Sequence, residues 1–186
     1  HNVGVKHTKL ENDEDANVLR GHADSGFSTP RSQGCRMVWM NGAVISYSSK
    51  RHTTTDDSTA AAELTEMYLC SCDVEGLRNL MQEVGLCQDG PTLIYQDNQP
   101  AIQISMNRGA LSKKTRAMSM RVLSVRNKIE DAKVIPVYLP TDLMTADIGT
   151  KALDSVTFAF HRDRLCGYVE VDKDEHITHQ AKKQKT

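Results

Sequence analysis

Small and apolar residues recur at helical spacing from Asp57 onward, at Ala60, Leu64, Met67, Ser71 and Val74 and then at Leu77, Met81 and Val84. The pattern stops at Gly85, which predicts one long helix with Asp56, Asp57 or Ser58 as its cap. Upstream the chain reads as strands, with Asn17 to Asp24 as a first, Gly34 to Met40 as a second and Ala43 to Ser49 as a third. Asn41-Gly42 between the last two is a strong hairpin signal, so three antiparallel strands come first. Downstream, strand and helix alternate. Pro91 to Gln96 reads as a buried strand, and Asn98-Gln99-Pro100 turns the chain into a short helix ending near Asn107. A helix around Thr115 to Glu130 carries Met118, Val122, Val125 and Ile129 along one stripe, with Lys114, Arg121 and Lys128 along another. Val134 to Leu139 is a last strand that Pro136 confines to an edge or a bulge. Thr141 can cap a short helix from Leu143, and Asp154 to Leu165 is one more. The sum is an α/β chain, a mixed sheet of five strands flanked by helices.

Length and composition narrow this picture. A chain of 186 residues holds one core of ordinary size, expected over residues 18–167. Residues 1–17 are polar and acidic and read as a loose arm or the end of a preceding region. From Asp172 the chain is polar and ends in Lys182-Lys183-Gln184-Lys185, so residues 168–186 are expected to be a disordered tail. The chain begins at His1, which suggests a piece of something longer. Lys+Arg 23 against Asp+Glu 24 gives a formal net charge of -1, which supplies no global attraction to a polyanion. Five scattered cysteines offer neither a zinc spacing nor a disulfide framework, and Cys70 and Cys72 point to different faces of one helix. Reduced thiols are expected. No apolar run reaches spanning length and no secretory signal opens the chain, so a soluble, intracellular protein is expected.

The candidate chemistry sits at element ends. Asp24 would close the first strand, Glu63 lies early on the long helix, Asp97 terminates a strand, and Asp147 lies in the first turns of a late helix. Singly each has a plain reading as a turn residue, an exposed glutamate or a helix cap. Brought to one sheet edge, four carboxylates cannot all stay ionised without counter-charge. Two Mg²⁺ ions suit them, since Mg²⁺ takes oxygen ligands and two such ions can activate a water and stabilise a leaving oxygen.

The wording around these carboxylates resembles a known family. Ala43 to Leu64, AVISYSSKRHTTTDDSTAAAEL, is similar to "AISWSSKKQSTVALSSTEAEY" of the ribonuclease H domain in copia-type (Pseudoviridae-like) LTR retrotransposons. That match puts Glu63 on the family's catalytic glutamate. IYQDNQPAI (Ile94 to Ile102) resembles "IYCDNQSAI" and carries an aspartate onto Asp97; TADIGTKAL (Thr145 to Leu153) resembles "LADILTKPL" and carries another onto Asp147. GHADSGF (Gly21 to Phe27) resembles "GYSDADW" and gives Asp24 the first role. The resemblance covers roughly Gly21 to Gly167 and implies the ribonuclease H-like fold. It also implies an endonuclease that cuts the RNA strand of an RNA/DNA hybrid, with Asp24, Glu63, Asp97 and Asp147 as catalytic and metal-binding residues. Two Mg²⁺ ions, replaceable by Mn²⁺, would activate the attacking water. In such elements the domain follows the reverse transcriptase in a Pol polyprotein, which implies that domain as a partner and a cytoplasmic virus-like particle, with a later nuclear stage, as its location. Nothing between His1 and Gly21 carries the polymerase's aspartate pair, so this stretch is expected to hold only the nuclease end.

Between Asn98 and Ile129 no acidic residue occurs, while Arg108, Lys113, Lys114, Arg116, Arg121, Arg126 and Lys128 do. Such a field can track phosphates while 2′-hydroxyls identify the RNA strand, with Asn98, Gln99, Lys113, Lys114, Arg116, Arg121 and Lys128 as expected nucleic-acid contacts. The alternative is a solvated helix surface. Three departures bear on activity. Where the family often reads "TKHIDIRYHF", this chain has Thr115-Arg116-Ala117-Met118-Ser119-Met120-Arg121-Val122-Leu123-Ser124; Gly26 replaces the second acidic residue of "DAD"; and Gly149 replaces a large apolar residue. They keep open a second reading, a catalytically decayed hybrid-binding or structural module of a degenerate element. A third reading starts from Asp24-Ser25-Gly26, the D-[ST]-G form of a retroviral-type aspartic protease, which expects a nearly all-β chain. The long helix after Asp57 argues against it.

Overall fold

The computed structural model describes residues 16–109 and 118–168. Five strands form one sheet in the order β3-β2-β1-β4-β5: β1 Arg20–Gly26, β2 Gln33–Met40, β3 Ala43–Arg51, β4 Thr92–Gln96 and β5 Val134–Tyr138. β1, β2 and β3 are antiparallel, and β1·β4 and β4·β5 are parallel. The helices are α1 Thr59–Glu83, α2 Gln99–Met106, α3 Ser119–Glu130 and α4 Ser155–Leu165. The architecture is the mixed α/β sheet that the alternation of patterns predicted, with the antiparallel half first.

The pleat explains why the sheet carries two cores. Successive side chains point to opposite faces, so Val38 joins Leu64, Met67, Val74, Ile94 and Val125 beneath α1 and α3, while its neighbours Met37 and Trp39 join Tyr95, Val137, Leu139 and Met144 on the other side. Helices cover the first face. The second is covered by 3-10 turns at Thr141–Leu143 and Thr145–Gly149, followed by α4.

Local signals fixed most boundaries. Ser58, not Asp56 or Asp57, caps α1 by accepting from the Ala61 N–H, and Gly85 ends the helix region at φ 80°. Asn41 and Gly42 both take positive φ, the requirement of the tight hairpin turn they predicted. Pro136 lies on β5, an edge strand, where its missing N–H breaks no ladder.

Three expectations are corrected. The first strand starts at Arg20 rather than Asn17, because Asn17 adopts φ 63° and its N–H and carbonyl bond the side chains of Asn41 and Gln88. Thr141 caps no helix; its hydroxyl donates to Asp97 instead. Asp147 lies in a 3-10 turn, not in an α-helix. Of the expected arm, only Ala16 and Asn17 are among the described residues, and of the expected tail only Tyr168. The described cysteines are free, with Cys70 buried inside α1. Among the described residues no helix is long and apolar enough to cross a membrane.

Candidate metal centre

Parallel pairing puts the C-terminal ends of β1 and β4 on the same side of the sheet. Asp24 lies near the end of β1 and Asp97 directly follows β4. Glu63, in the opening turns of α1, reaches the same point. Oxygens of Asp24, Glu63 and Asp97 all lie within 4.8 Å of one another. Asp147 is the fourth carboxylate beside them. It is not within that tight group, but its charge acts on Asp24 and both share Lys151 as an ion-pair partner.

Asp24, Asp97 and Asp147 are held by neighbours that were not expected at the centre. Gln96 is fully buried, and its Oε1 accepts from the Asp97 N–H at 2.9 Å and the Asn98 N–H at 3.3 Å. The Asn98 side chain in turn caps α2 through the Ala101 N–H, so the chain leaves β4 in a fixed turn. Thr141 Oγ1 donates to Asp97 Oδ2 at 2.7 Å, and the Thr150 hydroxyl donates to Asp24 Oδ2. Lys151 Nζ lies 2.8 Å from Asp147 Oδ1 and 3.6 Å from Asp24 Oδ1.

Burial and crowding dominate the electrostatics. Burial, then the charges of Asp24 and Asp97, push the Glu63 carboxyl up to about 9. Burial also raises Asp24, to about 6; the Thr150 hydrogen bond opposes the rise and the Asp147 charge adds to it. Burial works against the Lys151 charge, but its bond to Asp147 and the charges of Asp24, Asp147 and Asp97 outweigh that and raise its pKa. This is a site short of positive charge.

The residues fit a divalent cation. Glu63 Oε2 is buried with no hydrogen-bond partner among the described residues, which leaves an acceptor for a cation. The donors are all carboxylate oxygens, the set that hard cations such as Mg²⁺ and Mn²⁺ prefer.

The two glycines that depart from the resembled wording are explained by packing. A Cβ on Gly149 would stand 2.4 Å from Cys35 Sγ, and one on Gly26 would stand 3.0 Å from the Thr150 carbonyl. Both glycines let the segment carrying Asp147 close onto the sheet, where Ser49 Oγ donates to the Gly149 carbonyl at 2.7 Å. Gly149→Val is therefore expected to lower stability by about 1 to 3 kcal/mol, the range for overpacking. Adding Cys35→Ala should recover part of the loss in thermal melting, since it removes the sulfur but not the Cβ.

The expected nucleic-acid residues divide. Gln99 is exposed, and Asn98 is committed to its cap. Arg121 donates to the hydroxyls of Thr65 at 2.9 Å and Thr54 at 3.1 Å. Lys128 is corrected as a surface contact: it is buried, bonded to Ser71 Oγ and paired with Glu75 at 3.3 Å. Its ammonium faces α1 rather than solvent. Lys113, Lys114 and Arg116 lie outside the described residues.

Comparison with known proteins agrees with this fold. No family profile matches the chain. Curated relatives similar in sequence include a retrovirus-related Pol polyprotein from transposon RE2 of Arabidopsis thaliana and one from transposon TNT 1-94 of Nicotiana tabacum. The first is 25% identical over 135 residues, covering 73% of this chain and 9% of its own length. The second is 25% identical over 140 residues, covering 73% of this chain and 10% of its own length. The chain thus spans about a tenth of the length of these relatives. Among solved structures, the N-terminal RNase H domain of rv2228c from Mycobacterium tuberculosis matches with TM-score 0.55 at 12% identity, over 80% of this chain and 98% of that one. LC11-RNase H1, solved in complex with an RNA/DNA hybrid, matches with TM-score 0.54 at 12% identity, over 70% of this chain and 92% of that one. The chain has the ribonuclease H fold, and its sequence relatives are retrotransposon Pol polyproteins.

Proposed function

We propose that this chain is the endoribonuclease domain of a copia-type retrotransposon Pol polyprotein and that it cleaves the RNA strand of an RNA/DNA hybrid. The observation that carries the reading is the convergence of Asp24, Glu63 and Asp97 within 4.8 Å on a ribonuclease H fold, with Asp147 beside them. The four side chains would hold Mg²⁺ or Mn²⁺, and the domain would occupy residues 18–167. The chemistry that such cations supply is neutralisation of the crowded carboxylates and acidification of a water for attack on a phosphodiester.

The chain's own residues do the positioning. Thr150 orients Asp24, Thr141 and Gln96 orient Asp97, and α1 presents Glu63 from a rigid helix. No side-chain nucleophile is needed. Exposed Gln99, with the half-buried Arg121, lies on the elements that would meet the hybrid. The reverse transcriptase of the same polyprotein would supply further grip, in a cytoplasmic particle.

The test is cleavage of a hybrid labelled on its RNA strand, with and without Mg²⁺ or Mn²⁺, beside RNA duplex and DNA duplex controls. Metal-dependent loss of the RNA strand in the hybrid alone is the expected result. Intact RNA at excess protein with both metals would sink the reading and favour the decayed module. A second readout needs no substrate: Mg²⁺ at tenfold over its Kd should stabilise the fold by about 1.4 kcal/mol. That corresponds to a rise in Tm of roughly 3 to 6 °C. A melting curve indifferent to the metal titration would count against the centre.

A further inference from the structure

Lys151 stands where a cation is wanted. Backbone bonds from Thr150 N at 3.1 Å and Lys151 N at 3.0 Å to the Asp147 carbonyl place Lys151 one turn beyond Asp147. Its stem therefore reaches back, and the ammonium rests against Asp147 Oδ1 with Asp24 Oδ1 just beyond hydrogen-bond distance. The remaining Asp24 oxygen takes the Thr150 hydroxyl. Asp24, Glu63 and Asp97 form the tight group, while Asp147 sits beside Asp24 and shares the lysine with it.

We propose that Lys151 is a tethered counter-cation covering the Asp24–Asp147 side of the cluster, so that divalent cations bind in order. One enters among Asp24, Glu63 and Asp97 with the lysine in place. A second binds on the Asp147 side, weakly while the ammonium stays and tightly once it has left. The proposal rests on the metal-centre reading above and adds an asymmetry to it.

The physical reason is like charge at a shared position. An ammonium 2.8 Å from Asp147 Oδ1 and 3.6 Å from Asp24 Oδ1 repels a divalent cation arriving between these carboxylates and occupies one of the acceptors it would use. Displacement is feasible because the Lys151 side chain keeps 39% of its exposure and has a flexible four-carbon stem. A phosphodiester at the site offers the displaced ammonium a new acceptor. Occupancy of the second position is thereby coupled to arrival of nucleic acid, and Lys151 acts as a positioning residue for the metals.

The experiment is Mn²⁺ binding to the full chain without nucleic acid, by calorimetry and by the electron paramagnetic resonance signal of free Mn²⁺. Wild type, Lys151→Met and Lys151→Arg are compared. Wild type should take one Mn²⁺ tightly and a second more weakly. Lys151→Met, which keeps the stem and removes the charge, should tighten the second about two- to fivefold, the scale of one close, partly exposed charge pair. Lys151→Arg, which keeps the charge, should retain the wild-type pattern and shows that the effect is not one of altered packing. Identical isotherms for wild type and Lys151→Met would overturn the role of Lys151 while leaving the metal centre standing. No Mn²⁺ binding by any of the three proteins would instead remove the metal centre itself, and this proposal with it.

Discussion

Asp97→Asn is expected to reduce metal-dependent cleavage of an RNA/DNA hybrid by about a thousandfold or more, the scale of removing a group that fixes charge at a reacting phosphate. The substitution changes one oxygen to an amide nitrogen and leaves the side chain's shape intact. Asp97 sits in a turn fixed by Gln96 and accepts the Thr141 hydroxyl, and an Asn carbonyl can accept that bond equally well. The turn and the fold should therefore survive.

Stability should move the other way. Removing one of three carboxylates that lie within 4.8 Å relieves repulsion, so the metal-free variant should be more stable than wild type by on the order of 1 kcal/mol. The same variant should lose the rise in Tm that Mg²⁺ gives wild type. Three measurements thus bear on one residue: hybrid cleavage, metal-free melting, and melting with Mg²⁺. A variant that loses activity and also melts far lower than wild type would mean that Asp97 supports the fold rather than a metal centre.

What the chain disclosed by itself depends on how far apart the interacting residues are. The hairpin at Asn41-Gly42, the run of α1 and the edge position of β5 rest on local rules, and each holds in the structure. Of the four carboxylates singled out by their wording, parallel pairing of β1 and β4 brings Asp24 and Asp97 together and α1 adds Glu63, while Asp147 lies outside that tight group. Their supports were not legible. Thr150 meets Asp24 across 126 positions of sequence and Thr141 meets Asp97 across 44, distances over which no periodicity speaks. Lys128 illustrates the opposite failure. Its charge and stripe read as surface, but an ammonium can be buried when Glu75 and Ser71 meet it, and only the packing of α3 on α1 supplies them.

Gly34→Ala is expected to cost about 3 to 5 kcal/mol, because it breaks a buried ionic network on the α1 face of the sheet. A Cβ there would stand 2.0 Å from Glu66 Oε2 and 2.6 Å from His52 Nε2. The His52 ring bridges Asp56 through Nδ1 at 2.6 Å and Glu66 through Nε2 at 3.0 Å, and Arg36 reaches the other Glu66 oxygen at 3.1 Å while pairing with Asp73. Thr65 donates to Asp56. In the wording this segment resembles, glutamine and alanine stand where this chain has His52 and Asp56, so the bonded pair departs together. Burial opposes charge on His52, but the bonds to Glu66 and Asp56 and the charges of both outweigh it and raise its pKa. A raised histidine contributes stability that is fully present below its unfolded value of about 6.5 and is lost as pH rises through the folded value. His52→Gln should therefore be less stable than wild type by about 3 kcal/mol near pH 6, with the gap narrowing as pH climbs above 6.5. A gap that stays constant from pH 5.5 to 9, measured by urea unfolding, would show that His52 acts by packing and not by charge. Because Gly34 and His52 serve one network, the double variant should lose less than the sum of the single losses; strict additivity would mean that the two residues hold different parts of the fold.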